Sequence, residues 1–389
     1  MECRLVAAGF RPTFLAAGVA ALLLIPAWAA MFVYGDALAN NWPPTLWHAH
    51  EMIFGFVGAA IAGFLLTAVP SWTGRRGFAG WPLAILLGLW LLARILIATS
   101  AWWPPLFVAI VDAGFFLFLV ALLAPPLLRT RNRNTPLLLV VALLALCNVE
   151  FHRSLAHFDA ETAGRALIAA IDTVLILVTV IGGRIIPAFT SSALRAAGDA
   201  AKVRVWPLVG PLAIAAMVAV MGTDLVRPDG RVAGIVAGVA AALQALRLLQ
   251  WRTDRTLKNP IVWVLHLGYA WIPLGLGLKC AALLGGFAAA AFWLHALTAG
   301  TFATMILGVM TRAALGHSGR PLEIDPLTIL AYFMLLFAGL TRVFGFGVLR
   351  LPYPTVILIS AFFWTAAFAL FLYVYAPILC APRADGKAG

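Results

Sequence analysis

The chain has 389 residues, 63% of them hydrophobic and 11% charged, with a formal net charge of +12. Globular domains are about 45–50% apolar and about 25% charged. No soluble core hides so much apolar surface, so a soluble enzyme is excluded and a polytopic α-helical membrane protein remains. Runs such as 136–146 are apolar all round, unlike the alternating strands of a membrane barrel. The positive charge is no sign of nucleic acid, because basic residues of membrane proteins collect in cytoplasmic loops and no interleaved basic and aromatic patch occurs. Cys3, Cys147, Cys280 and Cys380 form no CxxC, which excludes a zinc ribbon, a thioredoxin motif and covalent c-type haem.

In chain order, hydropathy predicts twelve spans. The first, 12–34, is too long for the apolar part of a signal peptide and reads as a retained span. The others fall at 46–70, 82–99, 103–128, 136–157, 165–190, 205–222, 230–251, 259–284, 287–311, 324–344 and 352–380. Pro43-Pro44, Gly80 to Pro82, Pro104-Pro105 and Gly285-Gly286 mark turns between them. With the N-terminus inside, all five inner loops are basic, from Arg75 and Arg76 to Arg312 and Arg320, and Arg4, Arg383 and Lys387 join them at the ends. The outer loops hold less, Arg165 bordering the loop after span five and Arg227, Arg231 and Arg350 lying further on. Both termini are therefore expected in the cytoplasm, with 1–389 one transmembrane domain.

On this topology His48 and His50 lie near the outer end of span two. His152 lies near the outer end of span five, and His295 about two turns into span ten from the outside. Four histidines from three helices then share one membrane level. His266 falls in the inner third of span nine and His317 in the inner loop after span ten. Glu51, Arg94, Asp112, Glu150, Arg153 and Asp172 fall in the outer halves of spans two to six. Charges inside a bilayer are costly and face a cavity, a cofactor or a partner. Local pairing that merely helps helices pack is the plainer alternative.

The sharpest local motif is Trp47-His48-Ala49-His50-Glu51. Positions i and i+2 of a helix point about 200° apart, so His48 and His50 serve neighbours on opposite sides. One metal held by both would require the helix to unwind there. Gly55, Gly58 and Gly63 let a helix or a flat macrocycle approach the backbone, and ordinary helix packing explains them as well.

Aligning His50 on His295, an offset of 245, also aligns Gly55 with Gly300, Gly63 with Gly308, Gly74 with Gly319 and Arg75 with Arg320. Half that offset lands near Asp172 on span six. A true repeat would make three four-helix units, with His50, Asp172 and His295 around one pseudo-threefold axis. Glycine is abundant enough here for chance to be the alternative.

The blocks "WHAHEMIFGFVGAAIAGFLLTAVPSWTG" (Trp47 to Gly74), "GGRIIPAFT" (Gly182 to Thr190) and "GVMTRAALGHSGR" (Gly308 to Arg320) resemble the signature of the NnrS family. That resemblance implies a bacterial inner-membrane protein that carries haem and copper and acts in nitric oxide metabolism and nitrosative stress; with no CxxCH and imidazoles clustered at one level, the haem is expected to be haem b. The resemblance brings His48, His50, Glu51, Arg184, His295, His317 and Arg320 forward as site residues. The depth argument adds His152 and His266 as ligands and Arg94 as a charge partner, and Glu51, Asp112 and Asp172 are the candidate proton carriers. A second resemblance, to haem–copper oxidases and their nitric oxide reductase relatives, rests on twelve spans, an HxH helix and the repeat. This chain lacks their paired adjacent histidines and carries its His-x-His on the second span.

The expected function is binding and reduction of nitric oxide. Coupling two nitric oxide molecules needs two electrons, two protons and metal that holds both nitrogens close. The chain has no soluble electron-donor module, so the donor is quinol or an external protein. Two other readings stand beside it. One is a secondary transporter with an intramembrane charged site. The other is a nitric oxide or haem-binding protein without turnover. Membrane lipid is the remaining partner, and nucleic acid is not one.

Overall fold

A computed structural model describes residues 5–35 and 38–386. Cys3, Arg4 and Lys387 lie outside the described residues, as do both extreme ends. The described residues form helices and no strand. In hydrocarbon no water satisfies the backbone, so each spanning segment must close its own hydrogen bonds as a helix. Among the described residues, twelve helices are long and apolar enough to cross a membrane. They are α1 (Phe10–Tyr34), α2 (Pro44–Thr73), α3 (Trp81–Ala98), α4 (Pro105–Arg129), α5 (Leu137–Ala156), α6 (Ala160–Ala196), α7 (Val209–Val226), α8 (Arg231–Leu249), α9 (Pro260–Gly285), α10 (Ala288–His317), α11 (Pro326–Phe344) and α12 (Tyr353–Cys380). The protein is a multi-pass membrane protein.

Every expected span has its helix. The largest differences are extensions into polar sequence. α6 takes in Glu161 at one end and Arg195 at the other, and α10 continues to His317. Hydropathy ends a span where charge begins, whereas a helix ends where its backbone finds a cap. Asp159 caps α6: its Oδ1 accepts from the Thr162 backbone N–H at 2.9 Å. The Thr162 hydroxyl and backbone N–H hold the Asp159 carboxyl below its usual range.

The helices divide into two compact units. The first comprises Met1–Ala170, Ala313–Leu322 and Phe368–Gly389. In it α1 packs on α2, α2 on α4, α3 on α4 and α4 on α5. Gly63 lets α1 close in, since a Cβ there would sit 2.6 Å from the Phe14 ring. The buried Arg11 of α1 donates to the Leu379 and Ala381 carbonyls at 2.8 and 2.5 Å, tying down the end of α12.

The second unit comprises Ile171–Arg312 and Glu323–Ala367. There α7 packs on α8, α8 on α9, α9 on α10 and α10 on α11. Its interior holds a polar network. Arg247 donates to the Thr179 carbonyl at 2.7 Å and to the Tyr269 hydroxyl at 3.2 Å, and that hydroxyl donates to Gln244. Arg247, Tyr269 and Gln244 thus partner one another, the condition for keeping such groups inside.

Two stretches leave α geometry. Residues Glu51–Val57 and Ala296–Phe302 are π-helical, seven residues each. π turns are rare and recur at functional sites. Their bounds differ by the offset of 245 that aligns His50 with His295, so that correspondence extends from residue types to backbone geometry.

Candidate metal centre

The centre lies within the first unit and is built from four helices. α2 opens with Pro44 in its first turn, where the missing N–H costs nothing. Its second turn brings Trp47 and His50 inward, and both are buried. His50 is the last residue before the π segment. α3 contributes Arg94, α4 Asp112, and α5 Asn148 and His152, one turn apart on a single face.

Asp112 is the hub. His50 Nε2 and His152 Nε2 each lie 3.0 Å from its Oδ2. The Asn148 amide donates to the same oxygen at 2.6 Å. The other oxygen accepts from Arg94, whose second arm donates to Glu51 Oε1 at 2.5 Å. Glu51 returns to His50, with Oε1 3.2 Å from Nδ1. His50, Glu51 and Asp112 are at most 1% exposed and His152 is 7% exposed. Gly55 makes the Arg94 fork possible, because a Cβ there would come within 2.9 Å of Nη1. Glu51 and Arg94 thus form a direct ion pair between α2 and α3.

The charges do not cancel. Two carboxylates face one guanidinium, leaving one negative charge away from water. A buried charge demands a counter-charge, supplied either by a proton on an imidazole or by a metal cation held by neutral imidazoles. The residues fit the second solution. The candidate ligand atoms of His50, Asp112 and His152 lie within 4.8 Å of one another. Two imidazole nitrogens and a carboxylate oxygen suit a divalent transition metal. Asn148, Glu51 and Arg94 orient those ligands from behind. A cavity of about 340 Å³, lined in part by Trp42, Pro43, Ser100, Pro105 and Val108, reaches His152.

Haem does not fit on His50. The rings of Phe151, Phe54 and Trp42 lie 4.6, 4.8 and 5.1 Å from its ring and cover it. His50 and His152 also meet edge to face at 5.3 Å, with Asp112 between their nitrogens, which leaves no slot for a macrocycle.

The remaining sequence candidates lie elsewhere. His48 turns to the opposite side of α2 and stacks on Trp28 of α1 at 4.1 Å. His317 is the last residue of α10 rather than a loop residue; it is exposed, 5.7 Å from Phe10. Arg320 follows it, half-buried. In the second unit, His295 is half-buried beside Phe292 at 6.3 Å, and Arg184 is exposed. His266 has both ring nitrogens engaged, by Thr190 at 2.8 Å and Thr253 at 2.9 Å. Asp172 is buried, and the charges that act on it are those of Asp224 and Lys279. Of the expected residues, the structure thus joins His50, Glu51, Arg94, Asp112 and His152.

Sequence reasoning missed Asn148 and Trp42. Asn148 carried a usable signal, a polar residue one helical turn before His152 in an apolar span. Trp42 carried none, since it sits in a loop and reaches His50 and His152 only through the fold.

Among curated proteins nothing matches the chain. A family model does: that of the NnrS protein matches residues 4–383, nearly the whole length. The chain belongs to the NnrS family, which is linked to nitric oxide metabolism and whose membership implies metal or haem binding in general.

Proposed function

We propose that this NnrS-family protein holds copper at His50, Asp112 and His152, carries haem b at a separate place, and binds and reduces nitric oxide in the bacterial inner membrane. The observation that carries the reading is the convergence of two buried histidines from different helices on one carboxylate oxygen. Among divalent first-row metals, copper binds nitrogen and oxygen sites most tightly. When bound, the metals supply a place for the nitrogen of nitric oxide and a path for electrons delivered by quinol or an external protein.

The protein's own groups do the rest. Nitric oxide is small and apolar, so it arrives through the bilayer and the cavity beside His152. Arg94 fixes Glu51 and Asp112 and keeps both carboxylates in place. Glu51, hydrogen-bonded to His50 Nδ1, is the group placed to pass a proton toward the centre. The half-buried His295 is the histidine we assign to haem b, since His50 is covered by aromatic rings.

Metal analysis combined with an absorption difference spectrum on adding nitric oxide tests the reading. Wild type is expected to contain copper and to respond to nitric oxide. His152→Ala is expected to lose the copper and keep the Soret band. Copper content unchanged in both His152→Ala and His50→Ala would overturn the assignment.

A further inference from the structure

The second unit contains a buried ionic group independent of the metal centre. Asp224, near the end of α7, pairs with Lys279 of α9. Lys279 is 1% exposed, and its ammonium lies 4.6 Å from the centroid of the Trp293 ring on α10. A cation on an aromatic face is stabilised by the ring quadrupole. Asp172 of α6 is 3% exposed, and the ionisable groups whose charge acts on it are Asp224 and Lys279. Asp229, in the loop after α7, adds negative charge toward Asp224.

The count again leaves one negative charge too many, and among the described residues Lys279 is the cation whose charge acts on Asp172. Lys279 is committed to Asp224 and Trp293. Two carboxylate oxygens point at nothing that donates: Asp172 Oδ2 and Asp224 Oδ1 are buried and have no hydrogen-bond partner. An ionised carboxylate without a donor at membrane depth is among the costliest groups a protein can bury, and it is relieved by taking up a cation. Asp172 is 3% exposed, which leaves little room for a hydrated ion and suits the smallest cation.

We propose that Asp172, Asp224 and Lys279 form a proton-binding site, with the proton carried on Asp172. Uptake forms an O–H bond on the Asp172 carboxylate and removes its charge. Release returns the proton to water and leaves two carboxylates sharing the ammonium of Lys279. That ammonium has three donors, enough to serve both. The site thus has two charge states that differ by one proton, with Lys279 repositioned between them. It goes beyond the nitric oxide reading and does not depend on it.

Infrared spectroscopy of the purified full-length protein tests this directly. A protonated carboxyl gives a C=O stretch above the amide band that moves down in D₂O. Wild type at neutral pH should show such a band, and Asp172→Asn should lose it. Lys279→Gln should keep it and add a second band, because Asp224 then lacks its counter-charge. If Asp172→Asn fails to accumulate, Asp172→Glu should shift the band. A band unchanged in Asp172→Asn, or unmoved in Asp172→Glu, would overturn the proposal. So would loss of the wild-type band on adding sodium chloride at constant pH, which would make the site one for a metal cation. Lithium or potassium having no effect while pH alone removes the band would support it.

Discussion

Arg94 reaches Glu51 with one arm of its guanidinium and Asp112 with the other, so a single cation fixes carboxylates from two different helices. The fork is planar and its donors are pre-organised, which a lysine cannot imitate. This places the integrity of the whole centre on one residue of α3.

Arg94→Ala should therefore destabilise the protein rather than merely weaken activity. It strands two buried carboxylates, a loss of about 3–5 kcal/mol for breaking a buried pair. The thermal midpoint in detergent should fall clearly, and Arg94→Lys should recover only part of it. An unchanged midpoint in Arg94→Ala would show that the carboxylates are solvated or protonated.

The residues behind the ligands should tune metal affinity. Asn148→Ala removes a donor to Asp112 Oδ2 and should weaken copper binding by ~10–100-fold, a usual scale for such supporting contacts. Competition with a copper chelator measures this. Affinity equal to wild type would mean that Asp112 is held well enough without the amide.

Glu51→Gln keeps the shape and removes the titratable proton. Copper and haem content should survive while nitric oxide consumption falls by ~10²-fold, a typical scale for losing acid–base help. Full turnover in a fully loaded variant would take Glu51 out of the mechanism. Loss of copper instead would assign it to structure, through Arg94.

Haem and copper should separate by mutation. His50→Ala should lose copper and retain the Soret band, because three aromatic rings cover His50. His295→Ala should lower the Soret band and leave copper in place. The reverse pattern would exchange the two assignments.

Orientation is testable without purification. A reporter active only in the periplasm should stay inactive when fused after residue 389 and become active when inserted in the loop between α1 and α2. Activity at the C-terminal fusion would invert the topology.

The amino-acid sequence by itself determined where the twelve helices long and apolar enough to cross a membrane fall among the described residues. The reason is that hydrocarbon imposes one requirement on every segment, apolar length with backbone bonds closed internally, and that requirement is local. It also determined that Glu51, Arg94, Asp112 and His152 are unusual, because charge inside an apolar run is visible without any neighbour. Which of these meet was decided only by tertiary packing. His48 and His50 stand two residues apart and are equivalent by composition, yet one stacks on Trp28 and the other joins Asp112. His266, one more buried histidine by hydropathy, has both nitrogens taken by threonines. Sequence reasoning missed Lys279, and only the fold sets Asp224 and the Trp293 ring against it. A helix announces its own existence through its own residues, but the partner of a buried charge lies on another helix, and only the packing of the two brings them within bonding distance.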